Sequence, residues 1–108
     1  MRQNTHITFN VLLLVCLFTV QLFAGTSGKI VGTVKDERSG ETLPGVNVVL
    51  EGTSLGAATD LDGYFMIINV PPGTYNLRGM LIGYQPKNIS NVRVSVDMTT
   101  TINFNISQ

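Results

Sequence analysis

Residues 25–108 contain no histidine, no cysteine and no tryptophan; the single histidine is His6 and the single cysteine is Cys16. Each absence removes a chemistry. Without His or Cys there is no soft or imidazole ligand set for zinc. Ser-His and Cys-His nucleophilic pairs are excluded for the same reason. No disulfide can form, although small domains of oxidising compartments are commonly stapled by them. The core must therefore suffice alone or be supported by a larger molecule. Charge is also scarce. Lys29, Lys35, Arg38, Arg78, Lys87 and Arg93 stand against Asp36, Glu37, Glu41, Glu51, Asp60, Asp62 and Asp97, six against seven, a net charge of −1. Nucleic-acid binding needs a basic patch that displaces counterions from phosphates, and none is present. No glycine-rich loop of the phosphate-cradling kind occurs either.

Long apolar runs are confined to one place. Residues 11–24 read VLLLVCLFTVQLFA, apolar apart from Thr19 and Gln21, behind Arg2 and a polar stretch. A spanning helix needs about 20 apolar residues. A charged start, a short apolar segment and a small residue at its end describe an export signal. The expected division is a signal peptide over 1–24, cut after Ala24, and one domain over 25–108. Taking 24 from 108 leaves 84 residues, enough for one small domain. Val15 before Cys16 does not suit a lipid-anchor cleavage site, which expects a small residue there.

The rest alternates apolar and polar residues at period two, punctuated by Gly, Pro, Asp and Asn, the signature of strands and turns. Strands are predicted over 29–35, 46–52, 56–60, 64–70, 73–84, 87–96 and in the closing TINFNIS, with no helical window. Val46, Val48 and Leu50 share one face. Tyr75 and Leu77 face the core while Thr74, Asn76 and Arg78 face water, and a bulge or a doubly buried strand explains the apolar run after Gly79. Arg93 and Ser95 point outward between Val92, Val94 and Val96. Ile102, Phe104 and Ile106 point in, Asn103 and Asn105 out. Seven strands about ten residues apart indicate an all-β sandwich or small barrel.

The stretch TDLDGYF, residues 59–65, admits two readings. A calcium loop of the EF-hand type opens with Asp60, Asp62 and Gly63, but needs an acid six places after the glycine, where Asn69 stands. The hairpin-corner reading needs only that Asp62-Gly63 adopt positive φ, and it is preferred. The carboxylates of Asp36, Glu37 and Glu41 lie in a loop of turn formers, so solvated charges are expected rather than a glycosidase pair. Tyr64, Tyr75 and Tyr84 are too few for a strong sugar-stacking platform. Asn88 and Asn105 open Asn-Ile-Ser triplets, short matches to a glycosylation pattern of eukaryotic secretion. No catalytic, cofactor-binding or metal residue is expected, and the chain is read as a non-enzyme.

Ordered motifs then point to a family. GTV.D..SGE.LPGV.V, GT..GA.TD.DGYF, VPPGTY.L and IGY, spread from Lys29 to about Ser107, resemble the carboxypeptidase regulatory-like domain. The resemblance implies a seven-stranded antiparallel Greek-key sandwich of the transthyretin kind, behind the signal-peptide helix. It transfers no catalytic residue. It transfers structural positions: Gly32, Phe65, Tyr75 and Tyr84, and the turn residues Pro44, Gly45, Asp60, Asp62, Gly63, Pro72, Gly73 and Gly83. A domain of this kind directly after a signal resembles the N-terminal extension of TonB-dependent outer-membrane receptors, which import bulky nutrients. The implied role is that of a non-catalytic module in the periplasm or at the outer membrane. Its partner would be an envelope protein or the plug and barrel of a receptor, met through sheet edges, loops or the strand at 99–106. Whether the chain is a receptor fragment or a free-standing module is left open, and a carbohydrate-binding module is the alternative function.

Overall fold

A computed structural model of the chain describes residues 25–108. The expected signal-peptide helix lies outside those residues. The elements are β1 (Gly28–Asp36), β2 (Asn47–Leu50), β3 (Gly56–Ala58), β4 (Tyr64–Val70), β5 (Gly73–Met80), β6 (Lys87–Val94), β7 (Thr99–Thr101) and β8 (Phe104–Ile106). They form two sheets, one ordered β3-β2-β5-β6 and the other β4-β1 with β7 and β8 on the far side of β1. The alternation in the sequence produces the layers. Ile30 and Val34 of β1, Val48 and Leu50 of β2, Phe65 and Ile67 of β4, Leu77 of β5, Val92 and Val94 of β6, and Phe104 and Ile106 of β8 all point between the sheets and are buried. Each such side chain contributes roughly 1.5–3 kcal/mol by leaving water. This is the all-β sandwich that the alternation implies.

Two features depart from a purely antiparallel, seven-stranded arrangement. First, β7 and β8 run parallel to β1. The chain leaves β6 in one sheet and crosses to the start of β1 in the other, where Asp97 N donates to Ser27 O and Lys29 N to Met98 O. It therefore sets off in the direction of β1. Second, the last strand is counted as two. Lys29 pairs with Thr99 and Val34 with Phe104, the same offset of 70 residues, so the register never slips. Only residues 102–103 pull away. Ile102 N still donates to Val31 O at 2.8 Å, and the Asn103 side-chain oxygen accepts Thr33 N at 3.0 Å, doing what a backbone carbonyl would otherwise do. The last two segments are one kinked strand.

Smaller differences have local causes. The strand expected over 87–96 stops at Val94, because Asp97 has φ +57° and Met98 N donates to Ser95 O; Val96 is left 41% exposed rather than facing the core. The strand expected over 73–84 ends at Met80, and residues 81–84 turn back on a Tyr84 N to Leu81 O bond. The irregularity on β5 lies earlier, between Tyr75 and Leu77, opposite Asn91 of β6 with φ +60°. Tyr75 is half-buried.

Candidate functional site

Three connections meet at the C-terminal end of β1: residues 37–46, 59–63 and 81–86. Asp36, the last residue of β1, ties two of them. Its Oδ1 accepts the amides of Arg38 at 2.8 Å and Ser39 at 3.0 Å, and its Oδ2 accepts the Tyr84 hydroxyl at 2.7 Å. These donors favour the ionised carboxylate. The Tyr84 hydroxyl first, then the Ser39 and Arg38 amides, hold the Asp36 carboxyl below its ordinary 3.8. The same bond to Asp36 raises the Tyr84 phenol above its ordinary 10.0.

The sign of the linkage follows. Because the folded-state value of Asp36 is depressed, its contribution is present above the unfolded value and is lost as pH falls through the folded one. Tyr84→Phe removes the first of these donors. The variant is expected to lose thermal stability at a higher pH than wild type on acidification. Melting curves across the acid range check this; coincident acid limbs would show that the bond contributes nothing.

Thr59 ties the second pair of connections. It is buried, its hydroxyl donates to Leu43 O at 2.6 Å and accepts Val46 N at 2.9 Å, and its backbone exchanges bonds with Gly45 and Val46. Sequence reasoning took it only as part of a short strand. The one available signal was a hydroxyl residue next to Asp60, a pairing that favours side-chain-to-backbone bonds.

The TDLDGYF stretch is a tight turn, but it links β3 of one sheet to β4 of the other and is not a hairpin between paired strands. Asp60 organises it, its Oδ1 accepting Asp62 N and Tyr64 N, each at 2.9 Å. Gly63 N donates to Asp60 O. Gly63 has φ +74°, whereas Asp62 does not share the positive φ expected of the pair. The carboxylate replaces the second left-handed residue by capping the amides itself.

The other turn positions are spread over both ends of the sandwich. Gly45 and Gly83 have positive φ, +75° and +89°, and belong to this end with Pro44. Pro72, between β4 and β5, and Gly73, the first residue of β5, belong to the opposite end. The tyrosines are dispersed too. Tyr84 bonds Asp36, Tyr75 bonds Pro71 O at 2.6 Å at the far end, and Tyr64 lies on the outer face of β4. They share no surface on which a sugar ring could stack.

Chemically, this end offers Asp36, both of whose carboxylate oxygens are bonded to amides or a phenol, and Asp60, one of whose oxygens caps two amides. Among the described residues, no three His, Cys, Asp or Glu side chains are gathered into a metal-ligand group. The edges are bonded in part. Asp60 N donates to Tyr64 O, which with the Tyr64 amide bond occupies one end of the outer edge of β4. Asn69, with φ +56°, bends the other end. Across the molecule, Thr100 Oγ1 of β7 donates to Arg93 O of β6 at 2.8 Å, and Gln85 N, in the β5–β6 connection, donates to Ser107 O, just past β8. Strand addition requires unpaired edge groups. Phe104 and Ile106 of the last strand are buried in the core.

The CarboxypepD_reg-like domain matches residues 30–108. The chain belongs to the carboxypeptidase regulatory-like domain family. The domain is 35% identical over 94 residues to a TonB-dependent receptor of Formosa agariphila, a match covering 86% of this chain and 9% of the receptor. It is 35% identical over 75 residues to human carboxypeptidase D, covering 69% of this chain and 5% of that protein. It thus spans less than a tenth of either relative. Among solved structures, a type II cohesin–X-dockerin complex from Acetivibrio cellulolyticus is similar, with TM-score 0.64 and 26% identity over 73% of this chain and 56% of that one.

Proposed function

We propose that this chain is the exported, non-catalytic accessory domain of a TonB-dependent outer-membrane receptor, lying on the periplasmic side and working by docking to another part of the envelope machinery. The observation that carries the reading is the match to the Formosa agariphila receptor across 86% of the chain. The apolar segment at 11–24, behind a charged start, supports export. The match to human carboxypeptidase D covers only 5% of that protein, and among the described residues no three His, Cys, Asp or Glu side chains are gathered into a metal-ligand group that would support peptide hydrolysis.

A fusion of the chain to alkaline phosphatase, which needs disulfides and so is active only outside the cytoplasm, tests export. Periplasmic activity that disappears when residues 1–24 are deleted is the expected result; activity confined to neither compartment or independent of those residues overturns it. Titration with a panel of glycans, followed by tyrosine fluorescence, is expected to give no saturable change. Saturable binding would replace docking by carbohydrate recognition.

A further inference from the structure

The outer edge of β4 holds backbone groups that have no partner among the described residues. β4 pairs with β1 on one side and with no strand on the other. In an antiparallel pair, alternate residues turn their amide and carbonyl toward the neighbour and the rest turn theirs away. The Gly63 carbonyl accepts Val34 N, so Phe65 and Ile67, opposite Gly32 and Ile30, face β1. Tyr64, Met66 and Ile68 therefore face outward. The bonds of Tyr64 agree, because its amide and its carbonyl are both taken by Asp60. Beyond Ile68 the left-handed Asn69 turns the strand. What is left over is the N–H and C=O of Met66 and of Ile68. Their side chains stand on the outer face of the sheet, 43% and 56% exposed, with Val31 of β1 beside Met66. Edge strands are ordinarily blunted by charge or proline, and Tyr64–Val70 contains neither.

We infer that β4 pairs with β4 of a second copy of this chain, antiparallel across a twofold axis at Ile67. The register follows from the unpaired groups. With Met66 of one copy opposite Ile68 of the other, the N–H and C=O of each meet the C=O and N–H of its counterpart, and Tyr64 is left to Asp60. Cross-strand neighbours share a face, so Met66 and Ile68 of both copies form one apolar patch on a continuous sheet. A flexible peptide is a poorer occupant. Ordering it along so short a window offsets most of what its hydrogen bonds contribute. A strand already fixed in a sheet carries no such cost, and this chain supplies one. Charge permits the approach, since residues 25–108 carry a net −1. In this register Asp60 and Asp62 of one copy come to the same end as the uncharged Pro71–Gly73 turn of the other. Lys29 and Lys35 lie one strand back, on β1. No like charges are brought face to face. The inference goes beyond the accessory-domain reading and does not rest on it.

Sedimentation equilibrium of residues 25–108, which contain both sheets and the core between them, tests this over a wide concentration range. The mass is expected to rise about twofold, from one chain to two, and to level there, because a twofold contact closes on itself. The double variant Met66→Lys, Ile68→Lys sets like charges opposite one another. It is expected to keep the mass of one chain at every concentration, with the circular dichroism of wild type. Register is read separately by cross-linking, for residues 25–108 contain no cysteine of their own. Directly opposed residues lie within disulfide reach, whereas diagonal ones, about 7–8 Å apart, do not. A mixture of Met66→Cys and Ile68→Cys chains is therefore expected to form disulfide dimers at least about tenfold faster than either variant alone. If the lysines disturb the fold, cross-linking decides alone. A mass of one chain throughout leaves the edge to a strand of some other protein and overturns the inference. Growth past two chains, a dimer that survives the lysines in a folded variant, or cross-linking as fast in one cysteine variant as in the mixture overturns it too.

Discussion

Gly32→Ala is expected to unfold most of this domain's margin of stability, although it adds a single methyl group. A Cβ at Gly32 would run into the carbonyl oxygen of Ile102, and would lie 2.7 Å from its carbon and 2.9 Å from Phe65 Cε1. The atom struck first is backbone, so no rotamer change relieves it. Contacts under 3.0 Å are ones that real Cβ atoms essentially never show, so the backbone at Ile102 must shift. That shift falls on the kink at residues 102–103, where the Ile102 N to Val31 O bond and the Thr33 to Asn103 bonds hold the last strand to β1. Phe104, whose ring centroid lies 6.1 Å from that of Phe65, would be carried along. Overpacking of cores typically costs about 1–3 kcal/mol and sometimes more; with hydrogen bonds lost as well, about 3 kcal/mol is expected. For a domain of this size that lowers the melting temperature by roughly 12–24 °C. Melting followed by circular dichroism measures it. A variant melting within a few degrees of wild type would mean that the last strand does not pass beneath Gly32 as described.

Gly32 also shows where sequence reading stops. The alternation in β1, β2 and β4 is legible because burial on one face imposes a period of two; β4 spans the same residues, Tyr64 to Val70, in the pattern and in the structure. Periodicity reports which face a residue occupies, but not which strand lies beside it. The closing TINFNIS therefore reads as one regular strand. Its kink depends on a side-chain acceptor meeting an amide 70 residues away, and nothing local in the stretch encodes that. The same holds for Thr59, whose partners are Leu43, in a loop that reads as a run of turn formers, and Val46, at the start of the strand expected over 46–52. Ile82 misleads for another reason. Before a glycine it reads as part of the strand expected over 73–84, and only the turn at 81–84 lifts it clear of the core.

The turn at residues 59–65 is the second place where one residue decides the fold, and Gly63→Val is the substitution that exposes it. Two costs act together. At φ +74° a β-branched side chain is in a region that L residues rarely adopt, a strain of about 1–3 kcal/mol. The new Cβ would also lie 2.8 Å from Val34 O, 2.9 Å from Thr42 Cβ and 3.1 Å from Leu43 N, in the space where Val34 N takes Gly63 O and Leu43 N takes Val34 O. The substitution therefore strains the turn and pries the 37–46 loop off β1. A loss of about 2–4 kcal/mol is expected, read as a lower denaturation midpoint with the slope against denaturant unchanged. Gly63→Ala should lose less, because its left-handed strain is smaller although its Cβ meets the same neighbours. Calcium separates this account from its rival. Asp60 Oδ1 already accepts two amides, so added calcium should leave the wild-type midpoint where it is, whereas a cation held by Asp60 and Asp62 would raise it by mass action. Wild-type stability in Gly63→Val, or a midpoint that climbs with calcium, would each show that the aspartates serve something other than the backbone of this turn.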